Sequence, residues 1–403
     1  MNFKRFFSNK KRNIALIIVA ALLLLDLGFM ALSNHFIEKL PDQHAAERWQ
    51  GDEKCAQISL FFTEDQMITS DDIKKLEYSL EKKMQEAGIL QDDDDDNDRI
   101  VDTVPVNKNG ENVVEDSTLV TEEIKLYDSC YSAQGISTVI YENRKAENID
   151  TIGVGGDFFL FHPLEIISGA YFGADDLMKD RIVVDEDFAW QLFGSNDIIG
   201  ECVTIGGVNH YICGVVKRAE GRFNVAAGLS KSTVYMSYDS LAKYGTILSG
   251  RVSEVEVSED GQKMQSGGIN CYEVVMPDPV DGLALRLVRE SSGREEKYIS
   301  SVDNTKRFDG MSLLSVVLDF GIRSMWTQPI FYPYWENVAR GWEDILGRLW
   351  LIRMICRVAI FMIVAVMIVI AYRNKTWTVR GIAYYLADKK YDFEAKRKLL
   401  KQK

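Results

Sequence analysis

Two long apolar runs punctuate the chain, one near each end. Residues 13–32 read NIALIIVAALLLLDLGFMAL, and residues 349–372 include ICRVAIFMIVAVMIVIAY. A helix needs about 20 apolar residues to cross a hydrocarbon core, so the pattern predicts a transmembrane helix at each place. A cleaved signal peptide is the rival reading of the first run, with Ala31-Leu32-Ser33 as the processing site. The apolar region of such a peptide spans about 7–15 residues, which is shorter than this run.

Between the runs the pattern changes to short alternating segments. Residues 33–54 are polar and read as a connector, and 56–62 (AQISLFF) read as a strand. Thr69 or Ser70 then caps a helix with Asp71 and Asp72 in its first turn, where acids suit the exposed N–H groups and the helix dipole. Ile73, Leu76, Leu80, Met84 and Ala87 share one face of that helix, and Gly88 ends it. Strands are expected at 122–128 and 136–141. Gly153, Gly155 and Gly156 lack dinucleotide-binding G-x-G-x-x-G spacing and read as turn glycines.

Residues 181–216 are the most regular stretch. RIVVD reads as a strand and EDFAWQLFG as a short helix ending at Gly194. CVTIGGVNHYICGVV reads as a hairpin turning at Gly206-Gly207. That turn sets Cys202 opposite Tyr211 and diagonal to Cys213. Diagonal positions lie ~7–8 Å apart at Cα, too far for a relaxed disulfide, so two thiols are expected. Strand then helix follows at 233–244, a loop or edge hairpin at 245–268, a strand at 270–277 and an amphipathic helix at 280–291. Tyr332, Tyr334, Trp335, Trp342 and Trp350 approach the second apolar run. They suit either an interfacial aromatic belt or domain packing.

Charge turns these elements into a topology. The chain of 403 residues has net charge −13, unevenly spread. Residues 1–12 carry five bases and no acid, and residues 373–403 carry ten bases and three acids, so the middle holds −25. Basic flanks stay in the cytoplasm. Both ends therefore place 1–12 and 373–403 inside and 33–348 outside, in the cell membrane. An acidic middle of this kind excludes nucleic acid as its partner.

Two charges fall within the apolar runs. Asp26 lies thirteen residues past Asn13, and Arg357 fifteen residues before Tyr372. At 1.5 Å rise per residue these are ~20 Å and ~22 Å from the inner surface. The matched depths predict an intramembrane pair, with snorkelling of both to the outer headgroups as the alternative.

Catalytic chemistry finds no support in the motifs. His35, His44, His162 and His210 show no zincin spacing, and G-x-S-x-G and Walker A patterns are lacking. His162 and His210 read as surface or packing residues. The six cysteines include no Cys-x-x-Cys pair, so neither a metal nor a redox site is expected. The acidic run 92–98, inside an insertion spanning 91–118, fails as a calcium loop: counted from Asp92, Asn97 and Thr103 replace the required Gly and Glu. A solvated loop fits better. No cofactor is expected, and the protein is expected not to be an enzyme.

The blocks V-G-G-D-F-F (154–159), S-G-A-Y-F (168–172), V-V-D-E-D-F-A-W-Q-L-F-G (183–194), D-I-I-G (197–200) and I-G-G-V-N-H-Y-I-C-G-V-V (205–216) together resemble the periplasmic core domain of MacB-like, FtsX-like ABC transporter permeases. The early strand and helix at 56–88 and Y-P-Y-W-E-N-V-A-R at 332–340 look like clostridial members. The ordered set covers most of residues 13–372. The resemblance implies an α+β fold in which two transmembrane helices flank a large extracytoplasmic core of α/β lobes. It marks Gly155, Gly156, Asp157, Phe158, Phe159, Gly169, Phe193, Gly194, Gly200, Gly207 and Gly214 as structural motif positions.

It also implies a permease-like subunit, accessory or reduced, working with an ABC ATPase, a further permease chain and the lipid bilayer, as a homo- or hetero-oligomer. Such permeases have four membrane helices, whereas two are expected here. The tail after residue 373 fits an ATPase-facing helix, a solvated end or a basic segment for anionic lipid, with electrostatics favouring lipid. An ATPase-independent surface receptor, sensor or binding protein is the alternative, and a surface-anchored hydrolase a further rival.

Overall fold

The computed structural model describes residues 10–49, 54–89, 126–174, 176–229, 231–249, 267–323, 330–373 and 389. The acidic run 92–98, the rest of the 91–118 insertion and nearly all of the basic tail lie outside them. Phe36–Gly347 form one compact unit, and the flanking helical segments form the other.

Eleven strands among the described residues make one sheet. In chain order they are β1 (Cys55–Phe62), β2 (Asp128–Tyr141), β3 (Arg144–Gly156), β4 (Ile166–Gly169), β5 (Arg181–Asp185) and β6 (Cys202–Ile205). They continue as β7 (Val208–Val216), β8 (Thr233–Ser237), β9 (Thr246–Ile247), β10 (Cys271–Pro277) and β11 (Ile299–Asp303). The sheet runs β11-β1-β10-β2-β3-β8-β5-β7-β4.

β2 holds the topology together. One edge pairs with β3 along most of its length. The other edge pairs successively with β10 through Asp128–Ser132, β9 through Gly135 and Ile136, and β6 through Val139 and Ile140. Because β6 also pairs with β7, the strands β2-β3-β8-β5-β7-β6 close on themselves. Closure leaves those strands without a bare edge to template aggregation. Ile182, Val184, Val203, Ile205, Ile212, Val215, Val234 and Met236 join the larger core cluster.

The β1/β10/β11 end is an α/β lobe. Ile58, Leu60 and Phe62 of β1 and Tyr272, Val274 and Met276 of β10 share the same large core. The helices Ser70–Glu86 and Leu283–Ser291 contribute Ile73, Leu76, Leu80, Met84, Leu287 and Val288 to that core. Burial of each large apolar side chain contributes about 1.5–3 kcal/mol. Ser70–Glu86 starts as its sequence requires. Thr69 Oγ1 accepts from the Asp72 amide at 3.3 Å, and Asp72 Oδ2 accepts from the Thr69 amide at 3.2 Å. Ala87, expected on the apolar face, is the exposed C-cap residue.

The hairpin turn and the expected pairing of Cys202 with Tyr211 are present. Cys202 and Cys213 are reduced, and the Cys213 thiol donates to the Ile182 carbonyl at 3.3 Å.

Several expectations need correction. The strand expected at 136–141 is the end of the longer β2, Asp128–Tyr141, and most of the strand expected at 122–128 lies outside the described residues. Gly153 and Gly155 lie within β3, and Gly156, at φ +67°, is its last residue, where the chain turns. They are small because neighbours crowd them: a Cβ on Gly155 would lie 2.2 Å from the Tyr131 ring. The described part of the connector, residues 33–49 and 54, is structured and includes the helix Ala45–Trp49. The Ala45 amide donates to Gln57 Oε1 at 2.9 Å, and Arg48 donates to the Leu160 and Phe161 carbonyls.

Helix Lys10–Ile37 and helix Tyr334–Arg373 are long and apolar enough to cross a membrane, and only 6% of the most apolar window of each is buried within the protein. Both extend beyond 13–32 and 349–372, because helical hydrogen bonding continues where hydropathy drops.

Candidate functional site

On the face of the β1/β10 sheet opposite the large core, polar side chains sit among Phe61, Cys271 and Val275 of a second core cluster. Gln57 and Ser59 of β1 and Glu273 of β10 are buried there. Burying such groups is costly unless each finds a partner. They find one another in a continuous chain. Asp42 Oδ1 lies 2.8 Å from His162 Nδ1, and His162 Nε2 contacts Glu273 Oε2. Ser59 Oγ donates to Glu273 Oε1 at 2.5 Å, and Asn304 Nδ2 donates to Ser59 Oγ at 2.6 Å. Arg307 Nη1 donates to Asn304 Oδ1 at 3.2 Å.

Arg307 then connects to the first turns of the helix Tyr334–Arg373. Its Nη1 and Nη2 donate to the two oxygens of Glu336 at 2.7 and 2.9 Å, and its Nε donates to Glu343. Arg340 and Arg323 add further cations to Glu336 and Glu343. All of Arg307, Glu336 and Glu343 are buried. A bidentate guanidinium–carboxylate pair fixes orientation as well as charge.

The electrostatics follow from the partners. Burial alone would lower the His162 value, but Glu273 and Asp42 reverse this and raise it to about 9, so the ring is cationic at neutral pH. Burial would raise Glu336, but Arg307 and Arg340 outweigh it and hold the carboxylate below its usual range. Burial, then the Glu273 and Asp157 charges, push the Cys130 thiol well up.

Of the two readings of His162, surface or packing, burial supports packing: it is 0% exposed and lies between two carboxylates. Sequence reading missed this because Asp42 and Glu273 lie 120 and 111 residues away. His210 is also buried, with Nδ1 3.1 Å from the Val208 carbonyl.

Of the motif positions, Phe158 packs on the His162 ring, and the others are spread over the domain. Gly156 has φ +67°, and a Cβ there would lie 2.3 Å from the Ser129 carbonyl oxygen. That close approach lets Asp157 donate its amide to the same carbonyl at 2.9 Å and turn the chain into the helix Phe158–Phe161. Phe158 is buried 4.7 Å from the His162 ring and 5.5 Å from Trp335. Phe159 stacks on Tyr171 at 4.2 Å and meets Phe172 edge-on at 5.3 Å, so two motif blocks form one aromatic cluster. Gly169 and Gly214 are paired across β4 and β7. Phe193 packs on Tyr141 elsewhere, with Gly194 just after it, and Gly200 and Gly207 lie in turns.

Trp335 is core rather than membrane belt, Tyr332 packs on Phe61 at 5.1 Å, and Trp342 lies between Phe36 and Phe223. Tyr334 hydroxyl lies 3.3 Å from the Tyr235 hydroxyl. Aromatic spacing alone cannot separate a belt from a core.

In the helical unit, Asp26 receives two cations. Arg357 Nε donates to Asp26 Oδ2 and Arg353 Nε donates to Oδ1, both at 3.2 Å. Matched depth pairs Asp26 with Arg357, and Arg353 is a second partner. The second lies one turn earlier, on the same face of the helix.

These features define a class: a membrane protein with two apolar helices and a mixed α+β outer domain. Residues 87–266 match the family model described as the MacB-like periplasmic core domain. Among its relatives, the macrolide export ATP-binding/permease protein MacB of Chromobacterium violaceum is 30% identical over 97 residues, covering 24% of this chain and 14% of that protein. The protein of the same name from Agrobacterium fabrum is 26% identical over 177 residues, covering 43% and 25%. The matched stretches thus span a quarter or less of these relatives. Two solved structures are also similar. The periplasmic region of MacB from Actinobacillus actinomycetemcomitans is 12% identical at TM-score 0.34, covering 64% of this chain and 92% of that one. The extracellular domain of the ABC-type transporter YknZ from Gram-positive bacteria is 17% identical at TM-score 0.33, covering 61% and 100%.

Proposed function

We propose that the chain is a non-catalytic, permease-like membrane subunit whose outer domain carries motion between a partner ATPase and a partner or substrate outside the cell. Both termini are cytoplasmic in this reading. The observation that supports it best is the grip of Arg307 on Glu336 and Glu343. One helix, Tyr334–Arg373, contributes both those carboxylates and the apolar segment. A displacement of that helix would therefore be passed by fixed ion pairs to Asn304, Ser59 and Glu273 in the sheet, instead of being absorbed by a loose connector.

The test is purification of the full chain in mild detergent from its own cells. Recovery of an ABC ATPase or a second permease chain, and its loss in Glu336→Ala protein that remains folded, is the expected result. Recovery of neither sinks the proposal and favours an ATPase-independent receptor.

A further inference from the structure

We propose that Cys130, His162 and Glu273 form a zinc site within the outer domain. One donor atom from each lies within 4.8 Å of the other two, and all three residues are buried. Cys130 and Glu273 face each other directly across β2 and β10. Backbone pairing therefore fixes the thiol and the carboxylate on one face of the sheet. His162 follows the helix Phe158–Phe161, whose position is set by the crowded turn at Gly156.

The surroundings are arranged as metal sites require. Metal-binding imidazoles commonly hold their second nitrogen against a carboxylate, which fixes the ring. Asp42 contacts Nδ1 at 2.8 Å, directing Nε2 towards Glu273. Ser59 orients Glu273 through its other oxygen at 2.5 Å, and Asn304 orients Ser59 at 2.6 Å. Each ligand carboxylate or imidazole thus has an outer partner.

The donor set selects the ion. Thiolate sulfur and imidazole nitrogen suit zinc and disfavour calcium and magnesium, which take oxygen. One thiolate and one carboxylate neutralise a divalent cation, leaving no added net charge in the interior. On binding, the Cys130 thiol loses its proton, as does the hydrogen bond between His162 Nε2 and Glu273. Two protons pass to solvent and no redox change occurs. Three protein donors leave the fourth tetrahedral position to water, and the burial of all three favours loading as the domain folds.

The experiment uses the full chain purified in mild detergent after growth with zinc, and again with cobalt. Expected are about one zinc per chain by elemental mass spectrometry and a near-ultraviolet thiolate-to-cobalt band. Cys130→Ser, nearly isosteric, should abolish the band and the zinc while the chain stays folded. Cys213→Ser should keep both. Asp42→Asn should weaken zinc binding by about 10–100-fold. Folded wild-type protein without stoichiometric zinc or a cobalt band overturns the site, as does a band that survives in Cys130→Ser. Metal that washes away on gel filtration counts as adventitious and also overturns it.

Discussion

Arg307 holds Glu336 through two parallel N–H···O bonds of 2.7 and 2.9 Å, with both side chains 2% exposed. Arg307→Met leaves Glu336 with Arg340 and Glu343 with Arg323, so in thermal melts of the detergent-solubilised chain it is expected to lower stability by less than the about 3–5 kcal/mol of a fully broken buried pair. Conservative Glu336→Gln should cost less, because hydrogen bonds to the amide oxygen survive. Equal losses for the two variants would show that the ionic component is negligible.

Asp26 should matter more than either arginine that contacts it. Its loss leaves Arg353 and Arg357 both unpaired, whereas loss of one arginine leaves the other on Asp26. Each unpaired charge within a membrane helix costs about 2.5–3.5 kcal/mol on insertion scales. Asp26→Ala is expected to reduce membrane-inserted protein more than Arg357→Leu, with Arg353→Leu/Arg357→Leu relieving part of the defect. Inserted yield by fractionation reads this out. A triple variant no better than Asp26→Ala rejects the ion triad.

Glycine positions should separate steric from backbone effects. A Cβ on Gly214 would lie 2.5 Å from the Ala170 carbonyl oxygen, which β4/β7 pairing holds in place. Gly194, at φ +76°, has open space around it. Gly214→Ala is therefore expected to cost 1–3 kcal/mol or more through overpacking. Gly194→Ala should cost ~1 kcal/mol through backbone strain alone. The melting temperatures of the two variants give the order, and a reversal would contradict it.

Asp185 predicts a pH dependence. It caps the helix Glu186–Leu192, accepting from the Phe188 and Thr233 amides at 2.7 and 2.8 Å. Burial raises its carboxyl from 3.8 to about 6, against those bonds and Arg218. The folded value lies above the unfolded one, so its contribution to stability is complete below 3.8 and is lost as pH rises through 6. Relative to Asp185→Asn, the wild type should lose ~1–3 kcal/mol between pH 4 and 6.5. A flat difference across that window would mean the carboxyl titrates normally.

Much of the fold was legible where local chemistry decides it. The Thr69 cap, the Gly206-Gly207 hairpin and the strand–helix unit at 181–194 each depend on residues a few positions apart. The amphipathic helices followed from their period. The buried polar chain was not legible, because Asp42, His162 and Glu273 meet only through the tertiary fold. No spacing rule reaches over such separations. The glycines of β3 misled for a related reason. A turn glycine and a glycine crowded by Tyr131 look alike until the neighbouring strand is known. Asp26 and Arg357 could be matched by depth, but Arg353 needed the helix face.

Membership of β2 in both the α/β lobe and the strand ring has a practical consequence. No cut in the chain separates the two halves while leaving each with a full complement of staves. A one-residue deletion in this strand would turn inward-facing groups outward in both halves at once. The outer domain should therefore melt as a single cooperative body, and hybrids with similar proteins would have to exchange it whole.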